Sequence, residues 1–178
     1  MNAVAHPDAR PDLYRPGVGT VLASTWRVGT PERQRAAVEA IRTAWESREW
    51  PELGLLSYSV FIGTDGDTLL HYSQWTAEQA YEDFVRTYRD DRNAEIDAAV
   101  PGIERVELHR YAPPSRPSAA ADGTGPAGPH LHVSTDGARV LDFAEWGSEQ
   151  AHVEWRSESA PVGPVRRYTP ALSLSAGV

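Results

Sequence analysis

Two residue types are missing from the 178-residue chain, which contains no cysteine and no lysine. Without cysteine it can form no disulfide, use no thiol nucleophile and bind neither an iron–sulfur cluster nor zinc through thiolates. Without lysine it can form no Schiff base, anchor no pyridoxal phosphate and supply no P-loop lysine. All seventeen basic residues are arginines.

Runs of positive charge and long apolar segments are also lacking. The formal net charge is −8, which disfavours nucleic acid and anionic membranes as partners, because both attract clustered positive charge. No apolar stretch approaches the length that crosses a bilayer, and the first residues lack the basic-then-apolar order of a signal peptide. We therefore expect a cytoplasmic protein that binds neither nucleic acid nor membrane.

An internal repeat is the most informative pattern that is present. The segment Gly63 to Phe84 recurs seventy-one residues later as Ser134 to Trp155, and eight of twenty-two aligned positions are identical. Both copies run through Thr-Asp-Gly, an alternating strand pattern, a tryptophan (Trp75, Trp146) and Glu-Gln-Ala. The second copy has no counterpart of the strand and helix that precede the first. We interpret it as a truncated ββαβ repeat.

Residues 18–112 have the pattern of an α+β domain. Alternating and β-branched runs predict four strands, over residues 18–28, 53–63, 67–75 and 103–112. One helix is expected to begin at Thr30, and a second, single long helix is expected to run from a Thr76–Gln79 capping box to about Val100. The resulting order, βαββαβ, is that of a ferredoxin-like fold.

The remaining segments are expected to be less regular. Residues 1–17 are predicted to be an irregular arm, and residues 113–129, with five prolines and three glycines, a linker. Residues 130–178 offer strands over 130–134 and 139–146, a helix over 148–158 and a strand-like tail over 164–174. A unit of this size can hardly bury a core alone, so we expect it to dock on the first domain or on another subunit.

The run LLSYSVFIGTDGDTLLHYSQWTAEQAYEDF, followed by VPGIERVELHRY, resembles the antibiotic biosynthesis monooxygenase family of dimeric α+β barrel proteins. The match covers roughly residues 18–112. It implies a cofactor-independent monooxygenase that uses O₂ on a phenolic or anthrone-like aromatic polyketide in antibiotic or secondary-metabolite biosynthesis. It also implies a homodimer or an intrachain pseudo-dimer. The alternatives are a polyketide cyclase or aromatic-ligand-binding module on the same fold, and an oxygenase that receives reduced flavin from a partner.

The resemblance also implies site residues. Trp75 matches the family's active-site tryptophan, and Tyr81 matches a tyrosine near the substrate. His71 stands where an asparagine is frequent, and Ser24 or Thr25 replaces a second asparagine. Val85 stands where haem-degrading relatives have a histidine, so haem is not expected.

Strand alternation places His71 and Trp75 on one face, so we expect both to line a substrate cavity. His71, which ordinarily titrates near neutral pH, is the candidate base. The Trp75 indole N–H is a candidate donor to a substrate oxyanion, and Tyr81 is a candidate proton relay. The residues expected to bind the substrate are Ser24, Trp26, Trp45, Tyr58 and Phe84.

Two further clusters are given structural interpretations. His130 and His132 alternate on one strand and Asp142 is predicted on its neighbour, which makes a two-histidine, one-carboxylate metal site conceivable. A solvated strand edge explains the same residues more simply, so no metal is expected. The arginines of the second helix are expected on a solvated face from which one could still reach the cavity, namely Arg86, Arg89 and Arg92.

Overall fold

The computed structural model describes residues 1–114, 130–143 and 166–177. Its elements are β1 (Ala3–Ala5), β2 (Thr20–Arg27), α1 (Pro31–Glu46), β3 (Leu55–Gly63), β4 (Thr68–Trp75), α2 (Glu78–Thr87), α3 (Arg89–Ala99), β5 (Glu104–Tyr111), β6 (His130–Val133), β7 (Val140–Phe143) and β8 (Tyr168–Ala176). The stretch from β2 to β5 confirms the predicted βαββαβ order, except that two helices stand where one was expected.

Within the described residues, six strands form one antiparallel sheet in the order β1-β8-β3-β4-β2-β5. The inner order β3-β4-β2-β5 is that of a ferredoxin-like fold. The helices pack on one face of this sheet, and the β6–β7 hairpin packs on the other. Strand β4 lies between these layers, so every one of its residues is buried.

Helix α1 begins and packs as its sequence predicts. Thr30 caps it by accepting a hydrogen bond from the Arg33 backbone N–H, and Pro31 occupies the first turn, where no N–H is needed. The stripe of Val38, Ile41 and Trp45 is buried against the sheet. Of these three residues, Trp45 also lines the cavity described below.

The second helix departs from the prediction at both its start and its middle. Thr76 does not cap it: its backbone N–H donates to the Gly54 carbonyl, and the cap position falls on Ala77, which makes no side-chain bond. Gly54 has φ +84°, and a Cβ there would lie 2.2 Å from the Thr76 hydroxyl. Any residue other than glycine at this position would therefore clash with Thr76. The helix then breaks at Tyr88, whose φ of −126° is not helical, because α2 contacts β4 whereas α3 packs mainly on α1.

The β6–β7 hairpin covers the face of the sheet opposite the helices. The Phe143 ring lies 5.5 Å from Phe61 and 5.1 Å from Tyr72, centroid to centroid. His132 is buried, with Nε2 3.3 Å from the Tyr72 hydroxyl and Nδ1 3.1 Å from the Ala112 carbonyl oxygen. Through these contacts the hairpin packs on the first domain.

The Thr-Asp-Gly turn of the internal repeat has the same construction in both copies. Asp65 Oδ1 accepts from the Asp67 backbone N–H, and Asp136 Oδ1 accepts from the Ala138 backbone N–H. Gly66 and Gly137 both have positive φ, +76° and +71°, which favours glycine. Both copies of this motif therefore form a hairpin turn. The predicted helix over 148–158 lies outside the described residues, and the remainder of the second copy stays a prediction.

Both chain ends differ from expectation. Residues 1–17 are not wholly irregular, because Ala3–Ala5 form β1, which pairs with β8. The tail was expected within the second unit, yet β8 pairs with β3 in the main sheet and buries Leu172 and Leu174. The physical reason is that the β3 edge offers unpaired backbone groups and an apolar face, both of which the tail satisfies.

Candidate functional site

A cavity of about 560 Å³ lies between the sheet and the three helices. Its size falls within the range of small-molecule sites. The structure brings all eight predicted site residues to its wall, namely Ser24, Trp26, Trp45, Tyr58, His71, Trp75, Tyr81 and Phe84. Strand alternation accounts for the shared face of His71 and Trp75, and helical periodicity accounts for Tyr81 and Phe84.

Aromatic rings form most of the wall. Trp45 stacks on Tyr58, with ring centroids 4.7 Å apart, and on Phe84, at 5.8 Å. On the other side Trp26 lies 3.9 Å from the His71 ring. A wall of this kind favours a flat aromatic ligand and excludes bulk water from it.

His71 is a buried polar residue in the cavity wall. Its side chain is only 4 % exposed, and its Nδ1 lies 2.6 Å from the Tyr58 hydroxyl oxygen. Its Nε2 is buried without a hydrogen-bond partner. Since an unsatisfied buried polar group costs about 1–3 kcal/mol, this nitrogen marks the point where a ligand atom is needed.

The expectation that His71 titrates near neutral pH is wrong. Burial, reinforced by the nearby Arg105 charge, lowers its pKa from 6.5 to about 3. Both effects disfavour the cation, since the imidazolium would lose its hydration and face another positive charge. His71 is thus a neutral imidazole at physiological pH, and it is not poised as a base.

The hydrogen bonds around Tyr58 assign the tautomer of His71. Burial raises the pKa of Tyr58 well above its usual range, so its hydroxyl keeps its proton. Among the described residues, Nδ1 of His71 is the acceptor within reach of this hydroxyl, and a buried O–H normally donates a hydrogen bond. The hydroxyl therefore donates its own proton to Nδ1 of His71. The ring proton of the neutral imidazole is then on Nε2, in a side chain that lines the cavity.

Trp75 is placed as predicted, but its N–H is already engaged. The indole Nε1–H donates to the Ser73 hydroxyl at 2.8 Å, and that hydroxyl lies 3.4 Å from the Leu22 carbonyl oxygen. The Tyr81 ring meets the Trp75 ring edge-on, with centroids 5.5 Å apart. In this arrangement the Trp75 ring forms part of the cavity wall. Its N–H can donate to a ligand only if the hydrogen bond to Ser73 breaks.

Charged residues of α3 and β5 complete the wall, and most of them were not singled out from the sequence. Arg105 lies 4.5 Å from the Trp26 ring centroid and pairs with Asp97 at 3.0 Å. Arg92, expected on a solvated helix face, is only 3 % exposed and lines the cavity. The sequence signal that could have found Arg92 is its spacing of four from Tyr88, which puts it on the apolar stripe of that segment.

The metal site considered from the sequence finds no support in the register of β6 and β7. Asp142 pairs with Leu131, whereas His132 pairs with Leu141 and His130 with Phe143. No group of three metal-ligating side chains occurs among the residues that the structure describes. In the same residues, no helix has the length and apolar character needed to cross a membrane.

Comparison with known proteins supports the fold. A monooxygenase of Streptomyces coelicolor from the gene ActVA-Orf6, in complex with nanaomycin D, is 29 % identical; the alignment covers 61 % of this chain and 100 % of that one, with a TM-score of 0.46. A protein of Lactobacillus acidophilus, provisionally named a monooxygenase, is 9 % identical over 89 % of this chain and 96 % of that one, with a TM-score of 0.51. No protein-family model and no curated protein matches the chain.

Fold and cavity together define the class of protein. The chain has a ferredoxin-like α+β fold, with an aromatic cavity between its sheet and its helices. The sheet order of the inner strands and the likeness to the Lactobacillus protein agree on this fold. A fold does not fix a reaction, so the reaction must be argued from the residues that line the cavity.

Proposed function

We propose that this chain is a cofactor-independent monooxygenase that acts on a phenolic or anthrone-like aromatic polyketide. The observation that carries the proposal is the buried Nε2 of His71, without a partner, in a cavity walled by aromatic rings. A flat aromatic ring fits between these walls, and its oxygen atom satisfies the N–H. The sequence resemblance of residues 18–112 supports the same reaction.

The reaction balances without a resident cofactor. Anthrone loses a proton, and its anion transfers one electron to O₂; recombination forms a C–O bond to give a peroxide. Loss of water from the peroxide leaves a carbonyl where the methylene was, so that one oxygen atom enters the product and the other leaves as water. The substrate supplies the electrons, and the protein supplies donors for the anion and a dry cavity.

The site residues divide into two groups by role. His71 donates from Nε2 to the substrate oxygen, and Trp75 and Tyr81 hold the reacting carbon against that donor. The remaining predicted residues bind the ring through stacking and shape, namely Ser24, Trp26, Trp45, Tyr58 and Phe84. The proposal needs no metal, haem or bound flavin, and its substrate is a small aromatic molecule with O₂.

Oxygen uptake tests the proposal. Purified protein is incubated with anthrone in air, with a metal chelator and without flavin, and we expect uptake above the buffer rate. Trp75→Phe should slow turnover by about an order of magnitude by misplacing the ring. Trp50→Phe is the matched control: Trp50 is buried and its N–H is bonded to the Leu55 carbonyl oxygen, but it does not line the cavity.

Three other outcomes would replace the proposal. Uptake only after addition of reduced flavin would make the protein a flavin-dependent oxygenase. A product that is isomerised or dehydrated without added oxygen would make it a cyclase. Tight binding of the aromatic compound without any turnover would make it a binding module.

A further inference from the structure

A buried arginine without a counter-ion lies in the cavity wall. The Arg92 guanidinium carbon is 4.6 Å from the Trp45 ring centroid and 5.7 Å from that of Tyr88. Its two hydrogen bonds go to backbone carbonyl oxygens, those of Tyr88 at 3.4 Å and Glu49 at 3.0 Å. Its Nε–H is buried and has no partner. None of the ion pairs among the described residues includes Arg92.

The other charged side chains that line the cavity are compensated. Each has a partner of opposite charge within 4 Å: Arg89 with Asp90, Arg105 with Asp97, and Glu107 with Arg139. Arg92 is the exception within the described part of the wall. Burial, together with the charge of Arg48, lowers the pKa of Arg92 and outweighs the opposite effect of Asp91 and Glu95, neither of which forms an ion pair with it.

Such a cation is costly to bury unless something compensates it. Stacking on the face of Trp45 offsets part of the cost, and the two carbonyl oxygens offset another part. A guanidinium does not lose its proton in proteins, so the charge stays. An anion in the cavity would remove the remaining cost through a charge-assisted hydrogen bond.

We propose that the cavity binds its aromatic ligand as an oxyanion, with Arg92 as the counter-charge and the His71 Nε2–H as a further donor. Both nitrogens are buried and lack a protein partner, and both side chains line the same cavity. The aromatic nature of the ligand rests on the proposed function; its charge rests on Arg92. The oxyanion is a phenolate or a carboxylate on the ring system.

Where the oxyanion is the phenolate, no base is needed in the cavity. The phenolate is the form that gives an electron to O₂, and Arg92 stabilises it relative to the neutral phenol; a ring carboxylate only anchors the ligand. The proton then leaves to solvent at the cavity mouth and need not be taken up by His71. Residues from three elements cooperate here, since Trp45 on α1 holds both the Tyr58 ring and the Arg92 guanidinium.

Two pairs of probe compounds measure the preference for an anionic ligand and distinguish a phenolate from a carboxylate. The first is 2-hydroxyanthraquinone, whose absorption shifts to longer wavelength when it ionises, with 2-methoxyanthraquinone as its neutral match. The second is anthraquinone-2-carboxylate with its methyl ester. We expect the pKa of the bound hydroxyl to fall by at least one unit, or the carboxylate to bind at least tenfold more tightly than its ester. The pair that shows the preference identifies the source.

Variants tie the preference to Arg92. In Arg92→Met the preference for the anion should disappear while the methoxy compound and the ester bind as before, which also reports an intact cavity. Arg86→Met is the matched control: it removes one exposed positive charge, paired with Asp83, from the neighbouring helix, and should keep the preference. Arg92→Lys retains the charge and should keep part of the preference for the anion. If Arg92→Met fails to fold, this variant still tests whether the charge at position 92 causes the preference.

Four results would overturn the inference. They are the absence of binding of all four compounds, the absence of an anion preference in both pairs, its persistence in Arg92→Met, and an equal loss of charged and neutral ligands in that variant. The probes are already oxidised and consume no O₂. Their binding is therefore independent of whether the protein oxygenates anthrone, and the two proposals fail separately.

Discussion

The Tyr58 hydroxyl lies 2.6 Å from Nδ1 of His71. Because the buried hydroxyl keeps its proton and Nδ1 is the acceptor within its reach, Tyr58 donates towards the imidazole, and the ring proton of His71 is on Nε2. The contact converts the histidine from a candidate base into a neutral donor that faces the cavity. It also connects His71, through the stacked Trp45 ring, to the buried charge of Arg92.

The tautomer of His71 can be read by nitrogen NMR. In the wild-type protein, ¹⁵N shifts should show a protonated Nε2 and an unprotonated Nδ1 from pH 8 to pH 5. Tyr58→Phe removes the donor to Nδ1, so the population of the other tautomer should rise. Tyr81→Phe, which removes a hydroxyl from the same cavity, should leave the His71 shifts unchanged. A proton on Nδ1 in the wild-type protein would contradict the assignment.

The burial of neutral His71 predicts a pH-dependent stability. The pKa of His71 is about 3 in the folded protein and 6.5 as its ordinary value. Between these values the unfolded state binds more protons, so the free energy of unfolding falls as the pH falls, by up to about 1.4 kcal/mol per pH unit. His71→Asn removes this dependence.

Urea unfolding at pH 7, 6, 5 and 4 measures the difference. The stability of the wild-type protein relative to His71→Asn should decrease steadily as the pH falls below 6.5. A difference that stays constant over this range would mean that folded His71 takes up a proton as readily as the unfolded chain does.

Strand patterns allowed much of the fold and of the cavity to be predicted. Alternation along β4 puts His71 and Trp75 on the helix-covered face, because the side-chain period of a strand is two whatever packs on it. The Thr-Asp-Gly turn was likewise predictable, since Asp65 and Gly66 act within a few residues of each other. Such features depend only on neighbouring residues and can therefore be predicted from the sequence.

Features that depend on distant parts of the chain could not be predicted in this way. Arg92 is a surface residue by composition, and its burial depends on aromatic rings from other turns and helices, chiefly Trp45. The pKa of His71 depends on burial under helices that come from other parts of the chain, so the sequence around His71 does not reveal it. The pairing of β8 with β3 depends on which sheet edge is free after the rest of the chain has folded.

The position of the tail in the main sheet predicts a large cost for one substitution. Leu174 on β8 is fully buried, whereas Leu108 on β5 is 42 % exposed. Leu174→Ala should lower the free energy of unfolding by about 2–5 kcal/mol, and the matched Leu108→Ala by about 0.5 kcal/mol. Chemical denaturation gives both values. Equal small effects would mean that β8 is not part of the core.

The measurement that tests the central claim most directly is the fate of labelled oxygen. Anthrone is supplied to the chelator-treated, flavin-free protein under ¹⁸O₂, and the quinone product is analysed by mass spectrometry, with Trp75→Phe and a protein-free sample alongside. The account predicts one ¹⁸O atom per product molecule, formed faster than in either comparison. Product formation at the protein-free rate, or a product whose new oxygen comes from water, would contradict it.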